Sequence, residues 1–122
     1  MKKLSLAALS ITAALALAAP ASAAEYKCKG DSVEKSGSTQ YKVRTSGSDY
    51  TIEKSGSTKG KAKKSGSKYT VEVSGSTKAT IENGKIYKSG STWATVSDAQ
   101  RIYDCPDVVA ATLWVLQKVG QL

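Results

Sequence analysis

The chain has 122 residues, 40% of them hydrophobic, and its 18 lysines and arginines exceed its 10 acidic residues to give a formal net charge of +8. The roughly 99 residues that would remain after cleavage of the predicted signal peptide described below suffice for one domain with a modest core, but not for two. The sequence has no histidine and two cysteines, which removes the common designs for nucleophilic catalysis and zinc binding. We therefore expect no enzyme, no catalytic residue, no metal and no cofactor, and the lysine excess favours acidic partners.

Residues 1–23 have the pattern of a secretory signal peptide. Lys2 and Lys3 give a positively charged start, residues 4–19 form a mainly apolar region, and Pro20-Ala21-Ser22-Ala23 ends the segment with the small-x-small pattern that signal peptidase accepts. A membrane anchor is the alternative, but an apolar run of about sixteen residues is shorter than the roughly twenty that a span needs. We expect cleavage near Ala23 and a periplasmic or secreted protein whose mature chain contains no transmembrane span.

The two cysteines, Cys28 and Cys105, are predicted to form a disulfide, because an exported chain enters an oxidising compartment. A metal site is the alternative, but two cysteines without histidine make a poor ligand set. The bond would bracket nearly the whole region between them, and the chain-entropy model assigns such a loop roughly 4 kcal/mol of stabilisation.

The tetrad Ser-Gly-Ser-Thr occurs four times, at 36–39, 55–58, 74–77 and 89–92. Identical tetrads at nearly regular spacing predict an internal repeat. We assign residues 24–104 to a β-repeat domain with units 33–51, 52–70, 71–85 and 86–104.

Two columns of apolar residues run through the aligned units. The first column contains Val33, Ile52, Val71 and Ile86, and the second contains Val43, Ala62, Ile81 and Val96. Polar residues alternate with them at the period of half-buried strands, and glycines punctuate the runs as turns. A disordered linker is the alternative that the Ser/Gly/Lys-rich composition suggests, but a linker has no reason to keep apolar columns. We predict an all-β fold in which four hairpin repeats form a barrel-like or flower-like assembly.

The shortened third unit predicts one strand register. Its second turn is Asn83-Gly84, the pair preferred in two-residue type I′ hairpins. This turn would set Glu82 opposite Lys85 and Ile81 opposite Ile86, so that opposite charges share one face and apolar residues share the other.

Residues 105–122 are predicted to form a short hydrophobic helix. Pro106 and Asp107 suit a first helical turn, and residues 108–116 contain no charge. A helix that is apolar all round must be buried, so we expect it to plug the β assembly. A contact between copies of the chain, or a shallow insertion into a membrane surface, is the alternative.

The segment 86–96, Ile-Tyr-Lys-Ser-Gly-Ser-Thr-Trp-Ala-Thr-Val, resembles the repeat of the β-flower proteins, small bacterial domains built from successive hairpins around an axis. The tail with Ala110-Ala111 is also similar to theirs, and the resemblance covers roughly 33–116. The family's second repeat glycine is present as Gly60 and is replaced by Tyr41, Ala79 and Ala94 in the other units. The resemblance implies a flower-like fold and no functional site.

A second resemblance is to the periplasmic inhibitors of C-type lysozyme, which are small β-barrels. It rests on Tyr26-Lys27-Cys28 and on Ser65-Gly66-Ser67-Lys68-Tyr69. The inhibitors' later Trp followed by Lys-Gly is not found after Trp93. This resemblance implies a protein partner, so a protein-directed inhibitor remains an alternative function.

Lysines crowd the second unit, and the candidate contacts to a polyanion are Lys59, Lys61, Lys63, Lys64 and Lys68. Alternation predicts that Lys59, Lys61 and Lys63 share one strand face, which could meet lipopolysaccharide, a cell-wall polymer or another polyanion. A guard against edge-to-edge strand pairing is the alternative. No signature of specific nucleic-acid recognition is present.

Glutamates recur one residue after the start of three units, as Glu34, Glu53 and Glu72. A carboxylate pair could serve glycoside cleavage, but this column points outward among lysines, which favours pairing across strands. The predicted function is a non-enzymatic structural or binding protein of the bacterial envelope, whose partner is an anionic envelope polymer or an envelope protein.

Overall fold

A computed structural model describes residues 24–122, so the predicted signal peptide lies outside the described residues. Within residues 24–122 the chain forms ten strands and two helices. The strands are β1 (Tyr26–Lys29), β2 (Ser32–Lys35), β3 (Ser38–Ser46), β4 (Asp49–Lys54), β5 (Ser57–Ser65), β6 (Lys68–Val73), β7 (Ser76–Glu82), β8 (Lys85–Lys88), β9 (Ser91–Thr95) and β10 (Tyr103–Asp104). The helices are α1 (Val96–Gln100) and α2 (Asp107–Lys118).

The strands form one sheet in the order β9-β8-β7-β6-β5-β4-β3-β2-β1-β10. Consecutive strands from β1 to β9 pair antiparallel, whereas β10 pairs parallel to β1. The prediction of an all-β fold with a short C-terminal helix is confirmed in its coarser form: the described chain is mostly β with a short helix at its C-terminal end. Among the described residues the sheet is not closed, so the finer expectation of a barrel is not confirmed.

Alternate turns of this meander lie at opposite ends of the sheet. We call one the Ser-Gly end, because it collects the turns that open the four tetrads: Ser36-Gly37, Ser55-Gly56, Ser74-Gly75 and Ser89-Gly90. Both loop residues have positive φ there, for example 54° at Ser36 and 81° at Gly37. Positive φ at both central residues defines the type I′ turn, whose twist matches that of the flanking strands.

The opposite end carries turns of another composition. At Gly30-Asp31, Gly47-Ser48 and Gly66-Ser67 the glycine comes first, with φ of 63° at Gly47, as type II′ turns require. The fourth turn there is Asn83-Gly84, with φ of 51° and 73°. The predicted type I′ geometry of Asn83-Gly84 is confirmed, and so is its register, since Glu82 pairs with Lys85 and Ile81 with Ile86.

Each hairpin at the Ser-Gly end contains a β-bulge at the same place. The pairing skips one residue on the second strand of each hairpin, namely Gln40, Lys59, Lys78 and Trp93. A bulge bends its strand and raises the local twist. The residues that follow the bulges are Tyr41, Gly60, Ala79 and Ala94, the column in which the resemblance placed a glycine.

The two predicted apolar columns form the core. Every member is at most 6% exposed, and Val33, Ile52, Ala62, Val71 and Ile86 are fully buried. The predicted C-terminal helix is confirmed as α2, whose residues 109–116 are all buried. Helix α2 packs against β5, β6, β7, β10 and α1, and its last turn lies at the Ser-Gly end.

Gly60 allows α2 to approach the sheet closely. A Cβ atom on Gly60 would overlap Leu116 Cδ2 and lie 2.9 Å from Leu116 Cδ1. Leu116 is itself fully buried and has little room to move in a close-packed core. The second unit therefore carries glycine at a position where the neighbouring units carry tyrosine or alanine.

The predicted disulfide is confirmed between Cys28 on β1 and Cys105, just before α2, with a Cα–Cα distance of 4.9 Å and a sequence separation of 77 residues. It joins α2 to the sheet near the opposite end. Buried α2 and this bond hold the last segment of the chain against the strands.

The fourth unit departs from the predicted strand-turn-strand-turn pattern, because α1 follows β9 directly. Thr95 caps α1: its hydroxyl accepts a hydrogen bond from the Asp98 N–H at 3.1 Å, and the Asp98 carboxylate accepts one from the Thr95 N–H at 3.1 Å. This capping box favours helix over a further strand. Neither helix of residues 24–122 is long and apolar enough to cross a membrane.

Candidate functional site

The structure separates the lysines that the sequence grouped together. Ala62 on β5 is fully buried, so Lys61 and Lys63 point to the outer face of the sheet. Lys59 is the bulge residue and is half-buried beside the next hairpin. The bulge thus interrupts the alternation that predicted one face for Lys59, Lys61 and Lys63.

Several acceptors lie close to the lysines of β5 and β6. Lys61 stands opposite Glu72 in the strand register. The backbone N–H of Lys64 donates a hydrogen bond to Asp49 Oδ1 at 2.9 Å, which places this carboxylate beside the lysines. Lys68 lies beside Ser67, whose hydroxyl donates to Glu82 Oε2 at 3.4 Å. Positive and negative charges are therefore mixed here. The alternative of an edge guard is wrong for β5, because β5 has a paired strand on each side.

A different set of lysines gathers at the Ser-Gly end. Lys35, Lys54 and Lys88 each stand directly before a tetrad, at the last position of β2, β4 and β8. The other lysines at this end are Lys59 and Lys78 at bulges and Lys118 at the last position of α2. Lys35 forms an ion pair of 2.7 Å with Glu25. Glu34, Glu53 and Glu72 lie one position in from the turns, each opposite the threonine of a tetrad.

Four of these six lysines have their ammonium groups over aromatic rings. The Lys88 Nζ lies 4.7 Å from the centre of the Trp93 ring, and the Lys118 Nζ lies 5.3 Å from that of Trp114. The two indole rings meet edge to face at 4.9 Å. Lys35 and Lys54 lie 5.5 and 5.9 Å from the rings of Tyr26 and Tyr41. Cation–π contacts orient ammonium groups without neutralising their charge.

Three tyrosines stack behind Lys35 and Lys54. The Tyr26 ring lies 4.8 Å from that of Tyr103 and 5.9 Å from that of Tyr41, and the Tyr103 hydroxyl donates to Gln117 Oε1 at 2.7 Å. Burial, together with a hydrogen bond to Tyr26, raises the pKa of Tyr41 to about 12. Burial also raises the pKa of Tyr103. Both phenols therefore stay neutral well above physiological pH and serve packing, not acid–base chemistry.

Three equivalent grooves open between neighbouring hairpins at the Ser-Gly end of the described chain. Groove 1 lies between β3 and β4, groove 2 between β5 and β6, and groove 3 between β7 and β8, with volumes of about 290, 340 and 470 Å³. Each is lined by the threonine of one tetrad, by the bulge residue after it, and by the serine and glycine of the next tetrad. The tetrads thus build both walls of the grooves.

The grooves differ in charge. Groove 1 contains Glu53, which is held by Arg44 at 2.7 Å, and groove 2 contains Glu72. Among the described residues, the lining of groove 3 includes Lys78 and Lys88 and no carboxylate. Elsewhere in residues 24–122 no three carboxylates or cysteines come together as a possible metal site.

Of the six lysines at the Ser-Gly end, Lys59 is among the contacts predicted from the sequence and the other five are not, although the sequence contains a signal for them. Lys35, Lys54 and Lys88 extend three of the tetrads to Lys-Ser-Gly-Ser-Thr, and only Val73 breaks this pattern in the sequence. Local crowding in the second unit drew attention to lysines that are near in sequence. The meander instead gathers one lysine from each of several units.

Comparison of the chain with protein-family models, with curated proteins and with solved structures finds no match. The geometry of the Ser-Gly end is therefore the basis for a functional proposal.

Proposed function

We propose that this chain is a non-enzymatic, exported protein of the bacterial envelope that binds an anionic polymer through its Ser-Gly end. The observation that carries the proposal is the group of lysines at this end, Lys35, Lys54, Lys59, Lys78, Lys88 and Lys118, four of which lie over aromatic rings. We further propose that the four hairpins are arranged like petals around α2, a flower-like arrangement in keeping with the repeat that the sequence resembles.

A surface of this kind favours polymers over small ions. Each exposed lysine that neutralises an anionic group releases condensed counterions, so affinity grows with the number of simultaneous contacts. Lysines drawn from separate hairpins suit a ligand that passes several hairpin tips. Because the cation–π contacts already restrict Lys54, Lys88 and Lys118, these side chains lose less conformational freedom on binding.

The two tryptophans of the sequence, Trp93 and Trp114, provide the readout, because both lie beside Ser-Gly-end lysines. Protein expressed from its full sequence would be titrated with heparin and with lipopolysaccharide while tryptophan fluorescence is followed at several salt concentrations. We expect replacing Lys54, Lys88 and Lys118 with glutamine to reduce the slope of log affinity against log salt by about two.

The matched control replaces Lys63, Lys64 and Lys68 with glutamine, which removes the same charge from the opposite end. This control variant should retain most of the wild-type slope of log affinity against log salt. Equal losses in both variants would mean that net charge attracts the polymer without a site, and the proposal would be wrong. A wild-type protein that ignores both polymers at low salt but forms a saturable complex with one envelope protein would favour the inhibitor alternative.

A further inference from the structure

The Ser-Gly turns hold serine in an unfavourable backbone conformation. Ser36, Ser55, Ser74 and Ser89 have φ of 52° to 54°, in the left-handed region. This region suits glycine and asparagine, and a serine there stores strain. The chain uses asparagine at the equivalent position of its fifth type I′ turn, Asn83, at the opposite end. Turn geometry alone therefore does not explain why serine occupies all four turns of the Ser-Gly end.

The same serines line the grooves. Ser55 lies in the wall of groove 1, Ser74 in that of groove 2 and Ser89 in that of groove 3. Across each groove stands a tetrad threonine, Thr39, Thr58 or Thr77. Each groove thus has a hydroxyl-bearing residue on both of its walls.

The floor of each groove adds backbone hydrogen-bonding groups. Pairing across the grooves stops at Lys42–Glu53, Lys61–Glu72 and Thr80–Tyr87. Towards the Ser-Gly end the facing strands continue without pairing to each other within residues 24–122, and this is where a bulge bends one strand of each facing pair. In this part of the described sheet the facing backbones do not pair across the groove, and a bound ligand would supply hydrogen-bond partners to its backbone groups.

We propose that grooves 1, 2 and 3 are repeated subsites for the sugar rings of an anionic glycan. The inference rests on the proposed function, in which lysines attract the polymer, and adds that the grooves recognise its hydroxyl groups. Equivalent grooves are two strands apart, and strands are spaced about 4.8 Å, so the subsites repeat about every 10 Å or slightly more where the hairpins splay. A glycan of disaccharide repeats, with an acidic group on each repeat, fits hydroxyl-lined grooves that alternate with lysines. Its acidic groups would lie against the lysines; in groove 1 the Glu53 carboxylate is already paired with Arg44 at 2.7 Å, and in groove 2 Glu72 stands opposite Lys61 in the strand register.

The test keeps charge constant and removes hydroxyl groups. Thr58→Val/Thr77→Val removes one hydroxyl from groove 2 and one from groove 3 and retains β-branched side chains. Thr51→Val/Thr70→Val is the matched control, because both residues lie on the outer face away from the grooves. Calorimetry would compare a heparin hexasaccharide, which carries three disaccharide repeats, with inorganic polyphosphate, an equally flexible polyanion without sugar rings.

We expect the groove variant to bind the hexasaccharide about tenfold more weakly than the wild type, with unchanged binding of polyphosphate and an unchanged unfolding temperature. The control should bind both probes as the wild type does. Affinity should also rise from heparin disaccharide to tetrasaccharide to hexasaccharide and then level off, once three subsites are filled.

Two results would overturn this inference, and they are distinguishable. If the wild type binds both probes and the groove variant loses neither, lysines alone hold the polymer, and the proposed function stands without glycan subsites. If the wild type binds neither probe at low salt, the proposed function fails and the glycan subsites fail with it.

Discussion

The two ends of the sheet are built from the same meander but are stabilised differently. At the opposite end, the Cys28–Cys105 disulfide and glycine-first turns secure the chain. At the Ser-Gly end, the close contact of Gly60 with Leu116 and the packing of aromatic rings hold the hairpins, and the turns carry strained serines. Both ends carry charges of both signs, but six lysines gather at the Ser-Gly end, and four of them lie over aromatic rings.

The two ends of the sheet have different roles: the opposite end stabilises the fold, and the Ser-Gly end is the proposed binding surface. Strain that persists in a native fold must be supported by the rest of the structure, and it commonly marks functional sites. The opposite end supplies covalent support, and the Ser-Gly end presents serines, lysines and grooves. Substitutions at the opposite end should therefore change stability without changing binding, whereas those at the Ser-Gly tips should change binding as well.

The largest expected effect is loss of the disulfide. Cys28→Ala/Cys105→Ala should lower the free energy of unfolding by about 4 kcal/mol, the chain-entropy value for a loop of this length. Urea denaturation of the variant and of the oxidised wild type measures the difference. An unchanged transition midpoint would show that the opposite end does not depend on the bond.

The second effect concerns the packing of α2. Gly60→Ala should destabilise by about 1 to 3 kcal/mol, because the added methyl group overlaps fully buried Leu116. In a Leu116→Ala background the same substitution should cost much less, since the overlapping atoms are gone; a double-mutant cycle by urea denaturation measures this coupling. Ala79→Gly, at the equivalent position of the next unit, is the control for backbone effects. Additive losses would contradict the proposed contact.

The third effect exchanges turn residues between the ends. Ser55→Asn should raise the free energy of unfolding by roughly 0.5 kcal/mol, because asparagine tolerates positive φ better, and Asn83→Ser should lower it by a similar amount. Thermal unfolding measures both. Ser55→Asn should also lower the affinity for the heparin hexasaccharide, whereas Asn83→Ser should leave that affinity unchanged. A stabilised Ser55→Asn protein with full glycan affinity would remove the functional reason for serine.

The smallest expected effect is a loss of stability at alkaline pH that arises from Tyr41 in the tyrosine stack. Because the folded pKa of Tyr41, about 12, exceeds its ordinary value of 10.0, the unfolded chain loses this proton first as pH rises. Stability from Tyr41 is thus complete below pH 10 and declines between pH 10 and 12. Tyr41→Phe should narrow the difference in unfolding free energy between pH 8 and pH 11. Equal pH dependence in both proteins would contradict the assigned burial.

Periodicity made much of the fold predictable. The two apolar columns recur at one phase in every unit, the pair Asn83-Gly84 favours one type of tight turn, and a chain with two cysteines allows one internal disulfide. The apolar columns and the Asn83-Gly84 turn are local signals, and the disulfide follows from the number of cysteines. They were sufficient for the core, for the β7–β8 register and for the disulfide.

The bulges and the candidate site could not be predicted from such sequence patterns. Strict alternation from Lys61 back to Lys59 assumes an unbroken ladder, and the extra residue of the bulge breaks that ladder. The grooves arise from where pairing stops, a property of the whole sheet. Helix α1 was predictable in part, because Thr95-Val96-Ser97-Asp98 fits a capping box.

The central claim is that the polymer binds at the Ser-Gly end, and NMR titration tests it most directly. Amide resonances would be followed while the heparin hexasaccharide is added to isotopically labelled protein. The account predicts that the largest shifts fall at the Ser-Gly turns and the bulges, at 36–40, 55–59, 74–78 and 88–93. Largest shifts at the opposite turns, 47–49 and 66–68, or small shifts spread evenly over the sheet, would contradict it.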